Sequence, residues 1–215
     1  MMKCLFPIFL DLEGRECLVV GGGAVALRKV RNLLACAAKI KVIAPEICSD
    51  LQHIAEHHGV TLIRRKFEER DLDGVFMVFS ATDKEDVNAE IARMCRERAI
   101  LVNIVDEPDA CTFLVPSVLR RGPLAVAVST GGASPLWAKR VREFLEAVIT
   151  EEYGEFAEML GALRQLVKQV YPEDTVRRRQ ALERAVDSDA FELLLSGNKE
   201  KAKERMEQCI FSLPG

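Results

Sequence analysis

Three consecutive glycines, Gly21, Gly22 and Gly23, constrain the fold of this chain more than any other feature. They follow residues 16–20, which have the apolar composition of a buried strand. They precede residues 25–34, whose apolar side chains recur at helical spacing. A strand that turns through glycines into a helix begins a β-α unit, so we expect a parallel sheet in the N-terminal part of the chain.

The alternation of strands and helices continues beyond this turn. Further strands are predicted at 39–44, 60–64, 75–80 and 100–105, and further helices at 50–58 and 83–98. The last strand is rich in apolar residues, as expected where a parallel sheet is buried on both faces. The sequence therefore predicts an α/β fold with a Rossmann-like, doubly wound parallel sheet and right-handed crossovers.

The pattern changes after Pro108. Two β-rich runs, 111–119 and 124–129, are joined by turn-forming residues at 120–123 and predict a hairpin outside the parallel order. A helix follows, with Ser134 as its N-cap and Pro135 as its first residue.

From residue 151 onward the pattern is helical, with a break at Pro172 and shorter helices around 175–186, 188–195 and 199–211. We therefore predict three parts, with boundaries at 1–112, 113–149 and 150–215. They are a dinucleotide-binding domain, a hairpin and helix, and a small helical domain.

Composition narrows the class of protein. The chain has 215 residues, 49% of them hydrophobic and 29% charged, which is typical of a globular core. Neither a span of ~20 apolar residues nor a cleavable leader is present, so we expect a cytoplasmic protein that does not bind a membrane. The net charge of -3 argues against a nucleic-acid partner. Seven scattered cysteines without a C-x-x-C pair predict reduced thiols.

The glycine turn is a candidate dinucleotide site, because residues 21–26 match the pattern G-x-G-x-x-[G/A]. Gly21 would make the tight turn, Gly23 would let the backbone approach a pyrophosphate, and Ala26 would let the helix pack closely on the strand. Glu46 follows the second strand at about the spacing of a carboxylate that binds ribose hydroxyls, which favours NAD over NADP. The alternatives are a purely structural glycine turn and a plain surface carboxylate at Glu46.

Asp106 directly follows the fifth predicted strand. Ligands of open α/β sheets bind beyond the carboxyl ends of the strands, so this carboxylate is a candidate proton acceptor during hydride transfer to NAD. The alternative is an aspartate that caps the loop before Pro108.

A second anion site is predicted where small residues precede a helix and expose its N–H groups. Its candidate members are Ser129, Thr130, Gly131, Gly132 and Ser134, with Arg120 and Arg140 close in sequence. A solvated charged surface is the alternative for each arginine. We predict no metal site, because His53, His57 and His58 lie in a polar stretch in which we identify no cysteine or carboxylate at ligand spacing.

Several motifs occur together in one order. They are residues 6–10, 19–29, 42–46, 80–83, 103–106 and 126–135. In this order they resemble the precorrin-2 dehydrogenase/sirohydrochlorin ferrochelatase family of siroheme synthases. The resemblance covers residues 3 to about 150 and is looser in the helical tail.

The resemblance implies oxidation of precorrin-2 to sirohydrochlorin with NAD as hydride acceptor. Bifunctional members of the family also insert ferrous iron to give siroheme, so the resemblance implies this second reaction for a bifunctional protein. Asp106 matches the family's essential aspartate. The dinucleotide-contacting positions fall on Ala24, Val25, Pro45 and Glu46, and we expect the glycine turn, Thr82 and Asn103 to contribute.

The family is homodimeric, and the hairpin and helix after Asp106 resemble the segment that joins the subunits. Some fused members carry a phosphorylatable serine where this chain has Thr130, which keeps a hydroxyl at that position. Because we find no methyltransferase domain before Gly215, the resemblance implies that a separate enzyme supplies precorrin-2. Two other hypotheses stay open: a non-catalytic NAD- or tetrapyrrole-binding module, and a different Rossmann oxidoreductase.

Overall fold

The computed structural model describes residues 5–211. The chain divides into two compact units, Met1–Val115 and Pro116–Gly215, and each is described by itself. The three predicted parts and their boundaries stay a prediction.

The first unit is a five-stranded parallel sheet flanked by helices. Its strands are β1 (Glu16–Val20), β2 (Lys39–Ile43), β3 (Thr61–Ile63), β4 (Met77–Ser80) and β5 (Leu101–Ile104). Its helices are α1 (Ala24–Leu34), α2 (Ser49–His58) and α3 (Glu85–Glu97), and a 3₁₀ turn at Glu69–Leu72 precedes β4. The strand order is β3-β2-β1-β4-β5 with every pair parallel, so the Rossmann-like prediction is confirmed.

Strand β1 shows why its sequence is apolar from Cys17 to Val20. Val19 packs into one core cluster with Val30 of α1, whereas Leu18 packs into the other with Ile91 of α3. Successive strand residues face opposite sides of a sheet, and here both sides are covered by helices. The strand order reverses between β1 and β4, which leaves the crevice at their carboxyl ends where ligands of this fold bind.

An ion pair fixes the connection between β3 and β4. The guanidinium of Arg65 donates to both carboxylate oxygens of Asp71, at 2.6 and 2.7 Å, and the Glu68 N–H donates to the same carboxylate at 2.8 Å. Asp71 is only 5% exposed. Arg65 holds the pKa of the Asp71 carboxyl below its usual range.

We expect Asp71→Asn to destabilise the protein at pH 7 by about 1–3 kcal/mol, because the buried side chain that accepts both Arg65 bonds loses its charge. Since the folded-state pKa of Asp71 is lowered, its contribution is present above the unfolded pKa of about 3.9 and is lost as pH falls through the folded value. Urea unfolding between pH 3 and 7 measures both effects.

The control is Asp73→Asn, because Asp73 is an exposed carboxylate that pairs with Arg98 at 3.0 Å. It should change stability by less than about 0.5 kcal/mol. A larger loss in Asp73→Asn than in Asp71→Asn would contradict the assignment.

The second unit begins with an antiparallel hairpin, β6 (Ser117–Arg121) and β7 (Leu124–Val128). The hairpin was predicted, but its first strand begins later and extends further than expected. Arg120 pairs with Ala125 and Arg121 with Leu124, so only residues 122–123 form the turn. Residues before Ser117 are not part of this strand, since Thr112 instead bonds back to Val102 of β5.

The remaining elements of the second unit are helices. They are α4 (Pro135–Val148), α5 (Glu151–Val170), α6 (Thr175–Val186), α7 (Ala190–Leu195) and α8 (Lys199–Phe211). Helix α4 begins as predicted, since the Ser134 hydroxyl accepts from the Trp137 N–H at 3.2 Å and Pro135 is the first helical residue. The last four helices enclose a separate core that includes Leu163, Val167, Ala181, Met206 and Ile210.

Two further expectations concern membrane spans and the state of the cysteines. None of the helices formed by residues 5–211 has the length and apolar character needed to span a bilayer. The six cysteines in the described range are free thiols. Burial raises the pKa of both Cys17 and Cys95 to about 11, so these two thiols stay protonated at neutral pH.

Candidate dinucleotide and catalytic site

The glycine turn is shaped by two close approaches of backbone. Gly21 has a φ of +125°, and a Cβ there would lie 2.3 Å from the Ala81 carbonyl oxygen. A Cβ on Gly22 would lie 1.9 Å from the Glu46 carbonyl oxygen. The loops after β2 and β4 therefore press against the turn, and side chains are excluded at both positions. The sequence predicted Gly22 as a cofactor contact but not its close packing, because the loop residues that crowd it are distant in the chain.

Gly23 differs from the two glycines before it. A Cβ there would meet no protein atom within 4 Å, and its φ of -92° is accessible to any residue. Neither packing nor backbone conformation within the described residues calls for glycine. The open space lies at the N-terminus of α1, where unpaired N–H groups attract phosphates. The residues present therefore fit a dinucleotide whose pyrophosphate lies against Gly23.

The other predicted contacts of the turn lie around it. Ala24 and Val25 form the first turn of α1, and Ala26 is fully buried against the sheet, as its packing role requires. Pro45 and Glu46 lie in the loop after β2, which is tied to the turn by the bond from the Cys48 N–H to the Gly22 carbonyl at 2.9 Å. The Glu46 side chain is exposed and makes no hydrogen bond or ion pair with the described residues, so it is available for a ribose.

Thr82 lies in the turn from β4 to α3, where a small polar network orders the backbone. Its hydroxyl accepts from the Lys84 N–H at 3.1 Å and lies 3.2 Å from Oδ1 of Asn88. Asn88 is 4% exposed, receives the Ser80 hydroxyl at 2.7 Å and donates to the Thr82 carbonyl at 3.2 Å. Asn88 was not predicted, because an asparagine inside a helix gives no signal in the sequence until its partners are known.

Asp106 follows β5 and is held in an uncommon backbone conformation. Its φ is +63°, in the left-handed region, and the side chain is exposed. Aspartate and asparagine tolerate this region better than most residues. The loop is fastened on both sides, because the Val105 N–H bonds to Ser80 and the Thr112 N–H bonds to Val102. A solvent-accessible carboxylate on a fastened backbone loop thus lies at the carboxyl edge of the sheet, where it can take up a proton.

Asn103 and Lys29 form a contact next to this loop. The Asn103 side chain is 7% exposed, and its Nδ2 donates to the Phe113 carbonyl at 3.1 Å. Its Oδ1 accepts from the Lys29 ammonium at 3.3 Å. Lys29 also lies over the Phe79 ring, with its nitrogen 5.0 Å from the ring centroid. Asn103 was predicted as a cofactor contact, whereas Lys29 was not singled out.

The predicted residues of the second anion site all belong to the second unit. The Thr130 hydroxyl accepts from the Ser134 N–H at 2.9 Å, and the Ser129 hydroxyl accepts from the Gly131 N–H at 3.1 Å. Gly131 and Gly132 have φ values of +63° and +91°. The loop is thus ordered by its own hydroxyl groups, and the Trp137 N–H is used by the cap. Its role as an anion site stays a prediction.

The two predicted arginines differ in their surroundings. Arg140 is exposed and pairs with Glu143 at 3.2 Å. Arg120 is exposed in β6 and has no ion pair among the described residues. Binding of substrate carboxylates by either residue stays a prediction.

The histidines require a correction. Ligand atoms of His53, Glu56 and His57 all lie within 4.8 Å of one another on the exposed surface of α2. The statement that no carboxylate lies at ligand spacing is therefore wrong, because Glu56 falls between the two histidines on the same helical face. These three side chains can hold a divalent metal ion. They lie toward the C-terminal end of α2, which in a β-α-β unit is remote from the carboxyl edge of the sheet.

A glycine turn that enters a helix beside the reversal point of a parallel sheet defines a dinucleotide-binding protein of the Rossmann type. A family model described as putative NAD(P)-binding matches residues 8–117. A model described as sirohaem biosynthesis protein central matches 121–147, and one described as sirohaem synthase dimerisation region matches 152–210. The chain belongs to the siroheme synthase family, as the order of its motifs predicted.

Individual relatives agree with this family. The siroheme synthase of Thioalkalivibrio sulfidiphilus is 41% identical over 205 residues, covering 95% of this chain and 42% of that protein. A siroheme synthase of Pseudomonas aeruginosa is 39% identical over 204 residues, covering 95% of this chain and 44% of that protein. The chain thus spans less than half the length of these curated relatives. A solved structure titled "SirC, precorrin-2 dehydrogenase" matches 95% of this chain and 100% of its own, with a TM-score of 0.79 and 29% identity.

Proposed function

We propose that this protein oxidises precorrin-2 to sirohydrochlorin with NAD as the acceptor. The observation that carries the proposal is the open space at Gly23, a proposed cradle for the pyrophosphate, together with an accessible carboxylate at Asp106 on the same edge of one sheet. The likeness to a solved precorrin-2 dehydrogenase over its full length supports this choice of substrate. The glycine turn would hold the dinucleotide, with Glu46 at its ribose.

The oxidation removes two hydrogens from the substrate, one as a hydride and one as a proton. When bound, the nicotinamide dinucleotide accepts the hydride. Asp106 accepts the proton on a carboxylate oxygen, and its fastened loop holds the backbone from which that side chain extends. Because the side chain is exposed in the first unit, it can reach the substrate and return the proton to water.

The test is anaerobic incubation of the protein with precorrin-2 and NAD. Formation of NADH together with the sirohydrochlorin spectrum is the expected result. Binding of NAD or of a porphyrinoid without any product would favour a non-catalytic module. NADH oxidation with small carbonyl substrates, and no turnover of precorrin-2, would favour a different oxidoreductase.

We further propose ferrous iron insertion into sirohydrochlorin, which the family resemblance implies for bifunctional members. Insertion removes two protons from the macrocycle, and Asp106 is a proton acceptor at this edge of the sheet. Insertion rates for Fe²⁺ and Co²⁺ with and without the protein test this step. Rates equal to the spontaneous ones for both metals would limit the protein to the oxidation.

We also propose that the protein is a homodimer in the cytoplasm, where its cysteines stay reduced. Trp137, Phe144 and Val148 lie on one face of α4 and are 63%, 68% and 52% exposed. An apolar face of this kind is typical of a surface that a partner covers. The family model described as sirohaem synthase dimerisation region supports a second copy of this chain as that partner. It matches residues 152–210, which follow the hairpin and α4 in the chain.

We expect Phe144→Asp to convert the dimer into a monomer, because the substitution would bury a charge in the apolar contact. Sedimentation velocity measures the change. The control is Lys139→Asp, on the opposite side of α4, which should leave the dimer intact. A monomeric wild-type protein, or a dimeric Phe144→Asp variant, would contradict the proposed interface.

A further inference from the structure

Lys29 is placed unusually for a lysine. It lies in the middle of α1, is half-buried, and has its ammonium over the Phe79 ring instead of in open solvent. Helical side chains tilt toward the N-terminus of their helix, and the N-terminus of α1 lies at the carboxyl edge of the sheet. The long side chain therefore extends across β4 toward β5 and toward the crevice.

The hydrogen bonding of Lys29 is incomplete. An ammonium has three N–H donors, and among residues 5–211 the only acceptor for Lys29 is Oδ1 of Asn103 at 3.3 Å. That acceptor is neutral and its orientation is fixed, because Nδ2 of Asn103 must face the Phe113 carbonyl. No carboxylate in the described part of the chain forms an ion pair with Lys29.

The electrostatic setting points to an anion. Burial and the neighbouring Arg28 lower the pKa of Lys29, whereas Asp106 and Cys111 act in the opposite direction. A partly desolvated cation that forms no ion pair with the described residues is stabilised when an anionic oxygen completes its bonds. Asn103, which binds Lys29, lies in β5, and β5 leads directly into the Asp106 loop. Glu46 follows β2, on the other side of β1 and β4 in the sheet.

We propose that the Lys29 ammonium binds an anionic oxygen of the ligand on the Asp106 side of the crevice, and that this oxygen is a carboxylate of the tetrapyrrole substrate. The inference rests on the proposed function and adds a substrate-binding residue to it. A carboxylate bound by Lys29 would orient the macrocycle toward Asp106. The dinucleotide is the other source of an anionic oxygen, and the two sources are separated by titration.

The experiment measures Kd for sirohydrochlorin by absorbance and Kd for NAD by calorimetry, both with the full chain. Lys29→Met keeps the apolar stem over Phe79 and removes the charge. It should raise Kd for sirohydrochlorin by about 10- to 100-fold and leave Kd for NAD within about twofold. Lys29→Arg should recover part of the lost affinity, and the salt dependence of sirohydrochlorin binding should be weaker in Lys29→Met than in the wild type.

The matched control is Arg31→Met, an exposed basic residue of the same helix, which should leave both constants unchanged. Unchanged sirohydrochlorin binding in Lys29→Met, or a loss confined to NAD, would overturn the inference. Loss of the folded state in both Lys29→Met and Lys29→Gln would assign the residue a structural role and also overturn it. Failure of the wild-type protein to bind or turn over the tetrapyrrole is a separate result, which overturns the proposed function itself.

Discussion

Replacing Asp106 by asparagine should lower kcat for precorrin-2 oxidation by about 10²- to 10⁴-fold, the usual contribution of a general base. Asparagine is the informative substitution because it tolerates the left-handed φ of +63° that this position adopts. The loop should therefore keep its shape while the proton acceptor is lost. Kd for NAD should change by less than about twofold, since the glycine turn is untouched.

The measurement is single-turnover formation of sirohydrochlorin, with unfolding curves as a check on the fold. The matched control is Asp109→Asn, an exposed carboxylate in the same loop, which should keep wild-type kcat. Undiminished turnover by Asp106→Asn would remove Asp106 from the mechanism, even if precorrin-2 is the substrate.

The second large effect is expected at the glycine turn. Gly23→Ala should raise Kd for NAD by roughly 100-fold, because its methyl group would occupy the open space in which the pyrophosphate is proposed to lie. The stability of the folded protein should stay nearly unchanged, since that methyl group meets no protein atom within 4 Å.

Gly22→Ala is the contrasting variant. Its methyl group would lie 1.9 Å from the Glu46 carbonyl oxygen, so the backbone must shift. We expect a loss of about 1–3 kcal/mol in the free energy of unfolding, which for a chain of this size lowers Tm by several degrees. Calorimetric NAD titration and thermal unfolding of both variants test the distinction. Tight NAD binding by Gly23→Ala would contradict the proposed cradle.

Much of the first unit could be predicted because its signals are local. Residues 17–20 and 75–79 are apolar because helices cover both faces of the sheet, and this burial leaves a continuous apolar run in the sequence. The Ser134 cap before Pro135 was likewise predicted, since a cap depends on residues within one helical turn.

The hairpin was predicted less accurately, and the reason is physical. Arg120 and Arg121 have the composition of a turn, but cross-strand pairing with Ala125 and Leu124 places them in β6. Residues from 111 onward have the composition of a strand, yet Thr112 bonds back to Val102 instead. Pairing partners decide which part of a β-rich run forms a strand, and local composition does not identify them.

The sequence by itself determined the class of fold and the family, and it supplied the candidate dinucleotide turn and the candidate base Asp106. These depend on residue types within short segments and on the order of those segments along the chain. Only the tertiary structure decided that the Glu46 carbonyl excludes a side chain at Gly22 and that the Asp106 backbone adopts a left-handed conformation. It also decided that the Lys29 ammonium reaches Asn103. These contacts join segments far apart in the chain, and whether two such segments meet depends on the strand order that packing selects.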